Sequence, residues 1–150
     1  MDTEIITRIL MAFLATGGFS FLFKTPKRLL PIASLTGGLG WAAYEVIKLF
    51  YGFESAIILS SAVVGFLSHI FAKVFKTNVH PFITAGIVPL VPGASAFFAV
   101  KSFIDKNQSQ ASNFAYETFV SAFGIVIGIA ISSYVSKILN KKDIDTEKTI

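Results

Sequence analysis

Gly86-Ile87-Val88-Pro89-Leu90-Val91-Pro92-Gly93-Ala94-Ser95 lies inside an apolar run that extends from about Phe82 to Val100. The prolines at 89 and 92 remove two backbone donors and obstruct the turn before each, while Gly86 and Gly93 permit conformations that a side chain forbids. A continuous helix is therefore not expected here. In hydrocarbon, carbonyls and amides freed by such a break must find partners within protein or in a water-filled cavity, so broken helices line a path or a binding site. The segment reads as part of a transport component and not as a plain anchor.

The rest of the chain fits that environment. Of 150 residues, 53% are hydrophobic and 15% charged, with a mean hydropathy of +0.68, too apolar and too continuous for a soluble core of this size. About 20 apolar residues are needed to cross the hydrocarbon core as a helix. Four runs meet that length without interruption: Ile5 to Phe23, Leu29 to Tyr51, Ser55 to Phe75 and Phe114 to Leu139. Residues 82–100 meet it as a broken helix or turn back as a re-entrant loop. The fold class is all-α, a polytopic membrane helix bundle of about five spans with one Pro/Gly-broken helix, occupying residues 1–139. Residues 140–150 form a charged cytoplasmic tail, expected to be irregular. The first run is expected to be a retained span, because Asp2 and Glu4 precede it where a secretory signal carries basic residues.

Charge placement orients the bundle, since cytoplasmic loops are enriched in Lys and Arg. With five crossings and the N-terminus outside, the cytoplasmic side carries Lys24, Lys27, Arg28, Lys73, Lys76, Lys137, Lys141, Lys142 and Lys148, nine against the four of Arg8, Lys48, Lys101 and Lys106 outside. A re-entrant broken segment reduces that split to seven against six. N-terminus out and C-terminus in, in the cell membrane, is the favoured arrangement. The basic residues sit in connections and near the tail without forming a face interleaved with aromatics, so the net charge of +4 reflects topology and not nucleic-acid binding.

Small residues recur at every fourth position: Ser34, Gly38 and Ala42; Ser61 and Gly65; Gly124, Gly128, Ser132 and Ser136. Lipid offers no hydrophobic drive for helix pairing, so close backbone approach at Gly65, Gly124, Gly128 and Ser132 supplies packing, either between sister helices or in a homo-oligomer. Gly38-Leu39-Gly40-Trp41-Ala42-Ala43 matches a dinucleotide fingerprint formally, but it lies within an apolar helix with no strand before it. Most ionisable groups in the spans have simple explanations: Arg8 is one turn from Glu4, Glu45 and Lys48 are three apart, and Glu117 is near an interface. His69, beside Ser68 and on the face of Gly65 and Ser61, offers a group that exchanges a proton near neutral pH, or else a histidine satisfied by a neighbouring carbonyl. No catalytic set, metal cluster or cofactor motif is present: His69 and His80 lack metalloprotease spacing, the chain has no cysteine, and Gly93-Ala94-Ser95-Ala96-Phe97 lacks the last glycine of a nucleophile elbow. Ser95 reads as a polar wall of a cavity. Gly86, Pro89, Pro92, Gly93 and Ser95 are the candidate substrate-path residues, a helix start at the break favouring a carboxylate through its partial positive charge.

Several segments together resemble the threonine/serine exporter family. They are Gly18-Phe19 through Phe23, Pro26 with Arg28 and Pro31, Gly38-Leu39-Gly40-Trp41 with Tyr44, Gly65 to Ser68, Pro81, and above all Pro89-Leu90-Val91-Pro92-Gly93. The likeness runs from about Ile6 to Ile138. Some members of that family are one long protein and others divide it between two chains, and this chain resembles the shorter, C-terminal half. The resemblance implies a larger membrane subunit as partner and export of threonine and serine, or of dicarboxylates such as succinate, which is linked to split members. A non-transporting membrane scaffold for the larger partner is the reading from a different class. Two positions depart from the family pattern: Ala85 stands where a further proline is expected, and His69 where an acidic residue is.

Overall fold

The computed structural model describes residues 2–147 and the side chains of residues 4–139. Its elements are α1 (Asp2–Leu22), a 3-10 turn (Lys27–Leu29), α2 (Leu30–Val74), α3 (His80–Gly86), a second 3-10 turn (Val88–Leu90), α4 (Gly93–Ile104) and α5 (Gln108–Glu147). Among the described residues there is no strand. Three helical stretches are long and apolar enough to cross a membrane, and a fourth is gained if α3 and α4, bent by 45° at their break, count as one.

Helix α2 has 45 residues, about 67 Å at 1.5 Å per residue and more than twice a hydrocarbon core. It is not one rod. Gly52 has φ 81° and ψ 179°, a conformation open to glycine almost alone, and it interrupts the helix. Residues equally far from it meet: a Cβ on Gly40, twelve residues before, would strike Val64, twelve residues after. Tyr44 packs with Ala56 and Ile57, and at the far end Ala33 packs with Ala72. Thus α2 is a helical hairpin of two antiparallel arms, residues 30–51 and 53–74, each of spanning length.

Helix α1 lies along the first arm. Gly37 faces Thr16, Gly38 faces Phe13 and Gly17 faces Ser34, so small residues bring the two backbones together. Helix α5 lies along the second arm, where Gly65 meets Ser132, Gly124 meets Ile57, and a Cβ on Gly128 would run into Ser61 and the backbone of Ile58 and Ala62. The Ser61 hydroxyl also donates to the Gly124 carbonyl at 3.2 Å. Many hydroxyls are buried in these contacts, and most are satisfied within their own helix: Thr16, Ser20, Ser34, Thr36, Ser61 and Ser68 each donate to the carbonyl four residues earlier. A small polar residue can then sit in an apolar seam without an orphaned donor.

Three helices end alike. Lys24, Lys76 and Lys106 have φ of 56°, 48° and 57°, and the next residue reaches back from Thr25 to Ser20, Thr77 to Ala72 and Asn107 to Ser102. This is the left-handed terminus that glycine usually supplies, here built on lysine. Phe-Lys-Thr occurs at both 23–25 and 75–77.

The charged tail differs from expectation. Helix α5 continues without a break through Glu147 instead of ending near Leu139, because no glycine or proline follows Gly128 and nothing in the sequence stops the helix. Residues 148–150 of the tail lie outside the described residues.

Candidate functional site

The broken segment enters from the end of the bundle where the turns at residues 23–29 and 75–79 lie. Phe82 and Ala85 are fully buried there in a cluster with Leu29, Ala33 and Ala72, and the Phe82 ring stands edge-on to Phe71 at 6.2 Å. Helix α3 then rises to Gly86, which is wedged into the hairpin: an added Cβ would come within 2.8 Å of Val64 and 2.9 Å of Thr36. Both neighbours stand in the interior of their arms, so α3 ends well inside the bundle.

At this depth the backbone changes course. Leu90 is buried in the core with Val64, Tyr44 and Ile125, with Trp41 and Ile87 packed against it. The amide of Gly93 closes a tight turn on the Val91 carbonyl at 2.8 Å, and α4 begins. The first amides of α4 have no acceptor within their own helix. Because the two half-helices differ by 45° and not by a reversal, α4 goes on toward the opposite end. There it pairs antiparallel with α5: Phe98 stacks against Phe114 at 5.5 Å, and Ser95 donates to the Glu117 carboxylate at 3.2 Å.

The five candidate path residues therefore have different surroundings. Gly86 is buried and tightly held; Pro89 and Pro92 are partly covered; Ser95 is half-buried on Glu117; and Gly93 is exposed, with nothing within 4 Å of an added Cβ. His69 and Ser68 diverge. Ser68 is fully buried and donates to Val64 of its own helix at 2.7 Å, whereas His69 Nε2 lies 3.5 Å from the Ser133 hydroxyl of α5.

Three side-chain pairings differ from the sequence expectation. Arg8 reaches across to Glu45 of the hairpin at 3.4 Å, not back to Glu4, because a buried carboxylate demands a counter-charge more than an exposed one does. Lys48 turns its ammonium over the Tyr44 ring, 5.4 Å from the centroid, and leaves Glu45 to Arg8. Glu117 takes a partner from another helix and holds the first turn of α4 through Ser95. Periodicity within one helix could not show that bond. Ser95 and Glu117 stand eleven residues on either side of Lys106, so folding α4 and α5 about that residue would have found it.

Beside this bond lies a cavity of about 470 Å³, walled by Tyr51, Phe53, Glu54, Asn113, Tyr116 and Glu117. The Tyr116 hydroxyl donates to Glu54 across it. Elsewhere, Trp41 stacks on Tyr44 at 5.0 Å, and its indole N–H is the buried side-chain donor without a partner among the described residues.

Apolar helices of crossing length, packed through small residues around an interrupted segment, define a helical membrane protein. Residues 8–135 match the threonine/serine exporter family, ThrE, and the chain belongs to that family of membrane exporters. An uncharacterized protein of Haemophilus influenzae is similar at 23% identity over 137 residues, covering 85% of this chain and 46% of that relative. The chain thus spans just under half the length of the curated relative it matches. No solved structure matches.

Proposed function

We propose that the chain is the smaller subunit of a two-component exporter that carries small carboxylate-bearing metabolites, threonine and serine first, out across the cell membrane. The observation that carries this reading is the helix break held inside the bundle of a chain from an exporter family. Gly86, Pro89, Pro92, Gly93 and Ser95 form part of the substrate path: the prolines shape the break, Gly86 fits its close approach to the hairpin, the amides that follow Gly93 meet the substrate carboxylate, and Ser95 lines the way. His69 is the group available for proton exchange during the cycle. The multi-pass arrangement has its N-terminus out and C-terminus in.

The test is efflux from cells that make this chain together with a candidate larger subunit of the same family. Export of labelled threonine and serine that is lost on deleting this chain, while the partner's abundance holds, supports transport. Loss of partner abundance alone supports the scaffold reading. Pro92→Leu combined with Gly93→Leu is expected to lower efflux at least tenfold at unchanged membrane abundance; unchanged efflux of every amino acid and dicarboxylate tested would sink the path assignment.

A further inference from the structure

We infer that the cavity at Glu117 and Glu54 is a subsite for a primary ammonium group, the α-ammonium of the exported amino acid. This rests on the exporter reading above and adds to it the place where the positive end of a zwitterion is held. Neither carboxylate has a cationic partner within 4 Å among the described residues, whereas Glu45 has Arg8. Each has only a hydroxyl donor: Ser95 for one oxygen of Glu117, Tyr116 for Glu54. Glu117 is only partly exposed, and the described residues supply no counter-ion for it.

The cavity's other features suit the same ligand. Tyr51, Phe53 and Tyr116 line it with aromatic rings, whose electron-rich faces attract an ammonium. Its volume of about 470 Å³ exceeds the need of one small amino acid with some water. Position is the second line of argument. Ser95 is the third residue of α4, so the Glu117 carboxylate stands beside the helix start whose free amides favour a negative group. An acceptor bonded to Ser95 and amide donors in the same helical turn suit an α-ammonium and α-carboxylate on a single carbon. A dicarboxylate finds the second half of the site repulsive. The sequence alone favours a carboxylate at the break; the structure adds a fixed negative charge there, and a zwitterion reconciles the two.

The test reads Glu117 directly in membranes that contain the full chain and its larger partner. A hydrophobic carbodiimide labels the carboxyl, and mass spectrometry measures the rate. L-Threonine and L-threonine methyl ester, both carrying the ammonium, are expected to slow labelling at least threefold; 3-hydroxybutyrate, which is threonine without its amino group, leaves the rate unchanged. Equal labelling with all three compounds and without them overturns the inference, even if export is intact. In efflux, Glu117→Gln raises the KM for L-threonine about tenfold and leaves that for 3-hydroxybutyrate unmoved, Glu54→Gln does so more weakly, and Glu117→Asp restores part of the discrimination. A Glu117→Gln exporter that keeps the wild-type ratio of the two substrates also overturns it. Ammonium-specific protection in a complex that exports nothing counts against the exporter reading and leaves the subsite standing.

Discussion

Gly86 and Gly93 flank the same pair of prolines, yet the structure asks different things of them. At Gly86 a methyl group would press on Val64 and Thr36 from 2.8 and 2.9 Å, so Gly86→Ala is expected to destabilise the bundle by about 1–3 kcal/mol, read as a lower unfolding midpoint in detergent. Gly93 has open space and no positive φ, so Gly93→Ala leaves that midpoint unchanged. If Gly93→Ala nevertheless slows efflux, what it touches is substrate or partner and not this chain. Gly52 is a third case, with nothing near it but a φ of 81°. Gly52→Ala costs on the order of 1–3 kcal/mol through backbone strain alone, which the same midpoint measures. The sequence singles out Gly86 and Gly93 as equals because composition shows where a helix breaks but not which neighbour fills the gap. Glu117 illustrates the converse: within its own helix it is one polar residue near an end, and its meaning comes from Ser95, brought beside it by a turn at Lys106.

The elements themselves were largely legible, because a helix of crossing length is written locally, as a run of apolar residues of known extent. Ile5 to Phe23, Leu29 to Tyr51, Ser55 to Phe75 and Phe114 to Leu139 correspond to α1, the two arms of α2 and most of α5. What composition does not record is how each run stops. The hairpin turns on a single glycine between Tyr51 and Phe53, and α5 runs past its apolar part because helical propensity, not hydropathy, decides its end. Three termini are made by lysines in the left-handed region, where a Cβ costs about 1–2 kcal/mol per residue. A cation at a helix C-terminus recovers some of this through the dipole, and its long stem reaches toward water. Lys24→Gly, Lys76→Gly and Lys106→Gly are each expected to raise stability by about 0.5–1 kcal/mol, the strain relieved less the favourable charge lost. Chemical unfolding in detergent checks the sign. A fall in stability for all three would mean that the charge, not the backbone, dominates at these ends.

For the molecule as a whole, the arrangement of helices turns a charge count into a statement about two ends. Gly52 with its neighbours Glu45 and Glu54, the turn at Asp105 and Lys106, and Glu117 all gather at one end, since Tyr116 bonds Glu54 and Ser95 bonds Glu117. The other end collects the turns carrying Lys24, Lys27, Arg28, Lys73 and Lys76, around the cluster of Leu29, Ala72 and Phe82. Every carboxylate among the described side chains, Glu4, Glu45, Glu54, Asp105 and Glu117, belongs to the first end. The bias that orients membrane proteins counts Lys and Arg, and on our proposed topology the second end lies in the cytoplasm. Helix α3 then opens from the cytoplasmic side and α4 toward the outside, with the break between them and the carboxylate-lined cavity nearer the exit. On that proposal an amino acid leaving the cell would pass the buried end of α3 first and reach the joint site at the start of α4, where Ser95 bonds Glu117, on the way out. The expected outcome is that a reporter fused after Ile150 is active only in the cytoplasm, and that a cysteine at Asn113 reacts with an impermeant maleimide from outside intact cells. Labelling of position 113 only in opened cells would invert the bundle, turning the same cavity from an exit into the point of loading.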